Sequence, residues 1–296
     1  MKDAARLLVY FVATVLFGAL LAPILFWGAQ SLASHGVFPA LARFDFESFF
    51  HRALLVSAVA LLWPLLQSVR VRTINDLALA PNPNRWRDLL AGFLFSALPL
   101  LCFGAVLIAL HTFSLRFALT GNAIARIIGA SILVPAIEET FFRGLILGVL
   151  LRSGRRYMSI FVTSALYSIV HFLKAPENTS AVVTWTSGFH SVAGSFSQLA
   201  HPMYPLFLAA SFTTLFLIGW ILADTRVATR SLWLPCGLHA GWIFSNGLFN
   251  KLAHREIIAM PWLGKNLLVG ILPLAVACLT WMLARGWLRY VSARKS

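Results

Sequence analysis

Three ionisable side chains fall within six positions of an otherwise apolar run, Val134-Pro-Ala-Ile-Glu138-Glu139-Thr-Phe-Phe-Arg143-Gly-Leu-Ile-Leu-Gly148. A charged group at the centre of a bilayer costs about 3 kcal/mol even on lenient insertion scales, so each of these needs a partner or a task. On a helix Glu139 and Arg143 lie one turn apart and can pair, whereas Glu138 is turned about 100° from Glu139 and cannot share that arginine in the same way. Two histidines stand in other apolar runs: His171, at the end of Tyr167-Ser-Ile-Val-His171, and His239. A carboxylate shielded from water beside imidazoles is equipped for proton transfer. The plainer alternatives are a structural ion pair with the second carboxylate kept neutral by burial, and histidines satisfied within the core.

The elements that must position these groups are membrane helices. The 296 residues are 59% hydrophobic and 11% charged, with a mean hydropathy of +0.80, which excludes an ordinary soluble domain. A formal charge of +14 would suggest nucleic acid in a soluble chain. Here the arginines cluster between apolar segments, where they act as topology signals, and no nucleic-acid partner is expected. Cys102, Cys236 and Cys278 are widely spaced within apolar segments and read as small core residues rather than disulfides or metal ligands.

Taken in order, the apolar segments predict an all-α, polytopic protein of about eight spans in a single membrane domain over 1–296. They run at 7–29, 53–69, 89–111, 123–151, 157–173, 204–223, 232–250 and 266–284. The first is too long for a cleaved signal peptide and is read as a retained helix. Residues 32–50 are expected to lie along an interface before the second span, 70–88 to run outside the bilayer, and 174–203 to form a lid or re-entrant piece. Asn178-Thr-Ser matches a glycosylation acceptor, which matters only in a secretory compartment. Lys and Arg number fifteen in the termini and the connections after spans two, four and six, against seven in the other connections. That asymmetry places both termini on the cytoplasmic side, in keeping with a bacterial inner membrane. Glu138, His171 and His239 then fall roughly 20, 21 and 12 Å from the cytoplasmic helix ends, depths compatible with one intramembrane cavity.

These residues resemble the CAAX-protease and bacteriocin-processing family of intramembrane glutamic endopeptidases, whose founding activity is type II CAAX prenyl endopeptidase. Its Glu-Glu-x-x-x-Arg motif is matched by Glu138, Glu139 and Arg143, and its Phe-x-x-x-His motif by Tyr167 to His171 with Tyr for Phe. Its third motif, a histidine followed four residues later by Asn or Asp, is met by His239 but not by Ile243. The resemblance covers roughly residues 90–250. It implies hydrolysis of a peptide bond in a membrane-anchored protein or peptide, with Glu138 activating a water, His171 holding it and His239 donating to the oxyanion. Glu139 and Arg143 would support Glu138, and no cofactor would be needed.

Ile243 offers no donor, so another group on the same helix must supply the second one. Trp242 carries an indole N–H, though a membrane tryptophan usually packs or anchors at an interface. Asn246, seven residues beyond His239, nearly eclipses it on a helix and is the group expected to face the cavity. Gly144 and Gly148 are expected to admit a neighbouring helix. Two other functions stay open: a zinc enzyme with Glu138, His171 and His239 as ligands, and a non-catalytic protein, either a proton-coupled carrier or a scaffold.

Overall fold

Hydrocarbon offers no water to backbone N–H and C=O groups, so a chain this apolar must close its hydrogen bonds within helices. The computed structural model describes residues 2–116, 119–172, 182–199, 205–257, 262–264, 267, 268 and 270–293. In order they form α1 (Lys2–Ser34), a 3-10 turn (Pro39–Arg43), α2 (Phe46–Ser68), α3 (Arg85–Ala109), β1 (Phe113–Leu115) and α4 (Gly121–Glu139). A π-helical turn (Thr140–Ile146) continues α4 into α5 (Leu147–Leu151), followed by α6 (Arg156–Phe172), α7 (Ser187–Leu199), α8 (Pro205–Thr229), α9 (Trp233–Leu252), β2 (Ala253–Arg255) and α10 (Ile271–Ala293).

Five described helices are long and apolar enough to cross a membrane: α1, α2, α3, Ala209–Thr229 of α8, and α10. Their outer faces are apolar too. On α2, Leu55, Val59 and Trp63 each expose more than 60% of their surface, an arrangement suited to lipid and costly in water. The chain is an integral membrane protein. The expectation of eight spans is thus met for five, and the helices bearing Glu138, His171 and His239 are not among them. The polar groups that could do chemistry lower the apolarity of those segments, and α6, at 17 residues, measures only about 26 Å.

The contacts divide the chain into two compact units, Met1–Arg72 with Val170–Pro205, and Thr73–Ile169 with Leu206–Ser296. In the first, α1 and α2 pack through Ala19, Ala22, Phe46, Phe50 and Ala53, and the Tyr10 hydroxyl donates to Ala58 O at 3.0 Å. Residues 46–50, part of the 32–50 stretch expected to precede the second span, form the first turn of α2. Asp45 caps it by accepting from Ser48 N at 3.0 Å, and Phe46, Phe49 and Phe50 are buried. The apolar faces of those phenylalanines pack inward and begin the helix seven residues before the expected start. Within 174–203, α7 is too short to span, at 13 residues, and lies against α1, with Gly188 fitted closely over the Ala19 backbone. The Asn178 acceptor lies outside the described residues.

In the second unit α3 and α9 form the tightest pair. A Cβ on Gly237 would collide with the Leu89 carbonyl, one on Gly241 with Phe93 O and Ser96 Oγ, and one on Gly92 would stand 2.6 Å from Leu234 O. Ser245 Oγ donates across the seam to Ala97 O at 3.3 Å. Such small-residue faces let helix backbones meet where lipid supplies no hydrophobic drive. Beyond the helix ends, β1 pairs antiparallel with β2, Phe113 opposite Arg255, and so fixes the axial register of the pair. Across the unit, Asp224 of α8 accepts from Arg285 Nη2 at 2.6 Å and Trp281 Nε1 at 3.0 Å, and meets Arg156 of α6 at 3.4 Å.

Two smaller expectations fail. Gly144 and Gly148 admit no helix: a Cβ on Gly144 would lie 3.0 Å from Leu77 O and one on Gly148 3.7 Å from Asp76 O. The polar 73–80 connection occupies that face, where Leu232 N donates to Ala78 O at 3.0 Å. Cys102 and Cys278 are exposed and only Cys236 is half-buried, because a membrane helix is apolar on its lipid side as well as its core side. The α3–α9 seam predicts that Gly241→Val overpacks and destabilises by about 2 kcal/mol or more. Gly129→Ala, with nothing within 4 Å of the added Cβ, should leave melting in detergent unchanged.

Candidate active site

Glu139 is wholly buried on the last turn of α4, and its Oε1 accepts two hydrogen bonds, from Arg143 Nη1 at 2.9 Å and from His239 Nδ1 at 2.8 Å. The expected pair between Glu139 and Arg143 is present, and it is also the support for a histidine a hundred residues away. Arg143, equally buried, sends Nη2 to Gly219 O of α8 at 3.3 Å and lies 4.3 Å from the ring centre of Tyr167. Tyr167 meets Phe142 edge-on at 5.2 Å and His239 at 6.3 Å. One carboxylate, one guanidinium and two rings thus hold each other in a water-poor interior, where charge-assisted bonds are strong and an uncompensated charge is costly.

The free edge of His239 faces Glu138, with Nε2 3.9 Å from Glu138 Oε2. Glu138 keeps 26% of its side chain accessible while His239 keeps 6%, so the acid stands at the edge of the interior. Since Nδ1 is engaged by Glu139, Nε2 is the nitrogen left to act on a third group. A water or carbonyl oxygen can lie within hydrogen-bond reach, about 2.8 Å, of both Glu138 and Nε2.

Local sequence accounts for this placement. Thr120 caps α4 by accepting from Ala123 N at 3.2 Å. After Glu139 the helix widens, and Leu147 N reaches back to Phe142 O across five residues. Single π turns inside α-helices are frequent at functional sites, and this one contains Arg143. On α9, Gly237, Gly241 and Ser245 recur every four residues against α3, which turns His239, two residues beyond Gly237, to the opposite face, toward α4. That small-residue repeat is readable in the sequence and escapes attention beside the charged motif. The bond from Glu139 to His239 joins residues with no sequence relation and escapes for that reason.

The structure therefore brings together Glu138, Glu139, Arg143 and His239, with Tyr167 as their packing partner. His171 stands one turn past Tyr167 on the same side of α6, exposed, in the part of α6 that belongs to the first unit. Trp242 is buried at 2%, in keeping with packing. Ile243 is half-buried, and the Oδ1 of half-buried Asn246 is enclosed without a hydrogen-bond partner among the described residues. Among the described residues, no three His, Cys, Asp or Glu side chains converge as a metal site. Glu139→Gln and Arg143→Ala should each lower stability by about 3 to 5 kcal/mol, because either leaves a buried charge uncompensated. Thermal melting in detergent measures this, and unchanged melting of both variants would show that the pair stabilises nothing.

No curated protein and no solved structure matches the chain significantly. A family model does: Rce1-like, type II CAAX prenyl endopeptidase Rce1-like, over residues 120–245. The matched stretch begins at the cap of α4, contains the Glu138, Tyr167 and His239 motifs, and ends one residue before Asn246. Residues 120–245 of this membrane protein thus match the Rce1-like type II CAAX prenyl endopeptidase model, the family that the Glu138–Arg143 and Tyr167–His171 motifs resemble.

Proposed function

We propose that the protein is an intramembrane endopeptidase that hydrolyses a peptide bond in a membrane-anchored protein or peptide, with Glu138 as the base that activates water. The observation that carries this reading is the facing pair of Glu138 Oε2 and His239 Nε2 at 3.9 Å, with the far side of the imidazole fixed by Glu139. Glu138 takes a proton from the water as its oxygen attacks the scissile carbonyl carbon. His239 donates Nε2–H to the oxyanion. Collapse of the tetrahedral intermediate breaks the C–N bond, and the proton held by Glu138 passes to the leaving amine. An oxyanion donor fixed in advance contributes about 3 kcal/mol to such a step, and a desolvated carboxylate is a stronger base than a hydrated one.

Glu139 and Arg143 are positioning residues in this scheme: they set the ring plane and tautomer of His239 rather than touching substrate. His171 enters by the motif it completes, as the group that holds the water, and Asn246 as the second oxyanion donor in place of a side chain at Ile243. Eight spans with both termini cytoplasmic and a lipid-embedded substrate complete the reading, and no resident metal is invoked.

Glu138→Gln keeps the shape of the side chain and removes the base, so turnover should vanish while expression and melting persist. Mass spectrometry of membrane-anchored peptides incubated with wild-type and Glu138→Gln protein reads this directly, and equal cleavage by both proteins rejects the mechanism. Cleavage should also survive exhaustive chelation, whereas a zinc enzyme would lose activity to chelators and regain it with metal.

A further inference from the structure

A cavity of about 370 Å³ opens between α4 and α9 beyond the candidate active site, lined by Asn122, Arg126 and Ala130 from one helix and Ile243, Gly247 and Lys251 from the other. Its two ends differ in chemistry. Ala130, Ile243 and Gly247 form an apolar floor, and Gly247, which sits 3.4 Å from Ile127 by its would-be Cβ, leaves the space a side chain would fill. Arg126 and Lys251 are exposed at the mouth beside the Asn122 amide, and neither cation has a hydrogen-bond or ion-pair partner among the described residues. Two cations without a counter-ion at one mouth repel each other, and an anion bound between them relieves that repulsion.

The two helices run antiparallel, so the residues pair by level: Glu138 with His239, and, twelve residues back on α4 and twelve on along α9, Arg126 with Lys251. At 1.5 Å per residue the cations stand about 18 Å along the helices from the reacting pair, and five or six extended residues at about 3.3 Å each cover that length. We propose that this cavity is a substrate subsite that takes an acidic side chain five or six residues from the scissile bond, its carboxylate bound by Arg126 and Lys251. The inference rests on the peptidase reading for what the scissile bond is, but the anion preference itself does not require turnover. A lipid phosphate would satisfy the same cations, yet both stand on the two helices that carry Glu138 and His239, at one shared level and about 120° around each helix from the reacting pair, and a peptide that winds along the α4–α9 pair can reach both places where a headgroup cannot.

The test separates binding from cleavage. Asp, Asn or Lys is scanned singly through a membrane-spanning Leu/Ala peptide, and its binding to Glu138→Gln protein in nanodiscs of phosphatidylcholine is measured by fluorescence anisotropy. At the matching position the Asp peptide should bind roughly fivefold tighter than the Asn peptide, and Arg126→Gln or Lys251→Gln should each erase most of that advantage without changing Asn-peptide binding. The doubly reversed protein, Arg126→Glu with Lys251→Glu, should prefer the Lys peptide, which shows that it is folded and that charge is what is read. Equal binding of Asp and Asn peptides at every position overturns the proposal. So does loss of phosphatidylglycerol binding in the variants with Asp preference intact, which would assign the cations to lipid. Asp preference retained while wild-type protein cleaves no peptide would count against the Glu138 mechanism and leave the subsite standing.

Discussion

The second unit turns on one buried oxygen, Glu139 Oε1, which accepts from both Arg143 and His239. In a medium with little water to solvate it, a carboxylate holds its charge only if donors surround it. Here the donors come from its own helix and from α9, with α8 attached through the arginine. Helices far apart in the chain are thereby locked at one level and one rotation. The same bond decides which nitrogen of His239 is committed and which is left to face Glu138, so the interaction that stabilises the interior also sets the chemistry at its edge.

The division of labour between the two adjacent glutamates follows from helix geometry. One residue of rotation sends Glu139 into the interior and Glu138 to its border. The buried acid spends its capacity on structure. The partly accessible one stays close to a nitrogen that has no other task. Tyr167 fits the same logic, since its ring covers the guanidinium and backs the imidazole, giving Arg143 an electron-rich face where it lacks water. A phenylalanine at that position would offer the same face.

Positioning of this kind needs stiff supports. The α3–α9 seam provides one by bringing backbones together until no side chain fits between them, and the β1–β2 pair prevents sliding along it. The 73–80 connection braces the π turn from outside through Leu77 and Gly144. A loop in that role is unusual for a membrane helix, but Gly144 and Gly148 lack the side chains that would keep a polar backbone at a distance.

Much of this was determined by the sequence itself. Composition and run lengths demanded membrane helices, because hydrocarbon penalises every unsatisfied backbone group. The spacing of Glu139 and Arg143 demanded a pair, because residues one turn apart share a face, and α3, α6 and α9 begin and end within about four residues of the apolar runs, whereas α2 starts seven residues early at Phe46 and α8 and α10 run six and nine residues past theirs. What only the tertiary structure decided are the relations across helices: that Glu139 also holds His239, that a π turn interrupts the motif, and that a loop rather than a helix lies on Gly144. Such contacts are chosen by how the helices rotate and slide against one another. That choice is made by small-residue seams and buried hydrogen bonds between residues a hundred positions apart, which a pattern read along one helix does not contain.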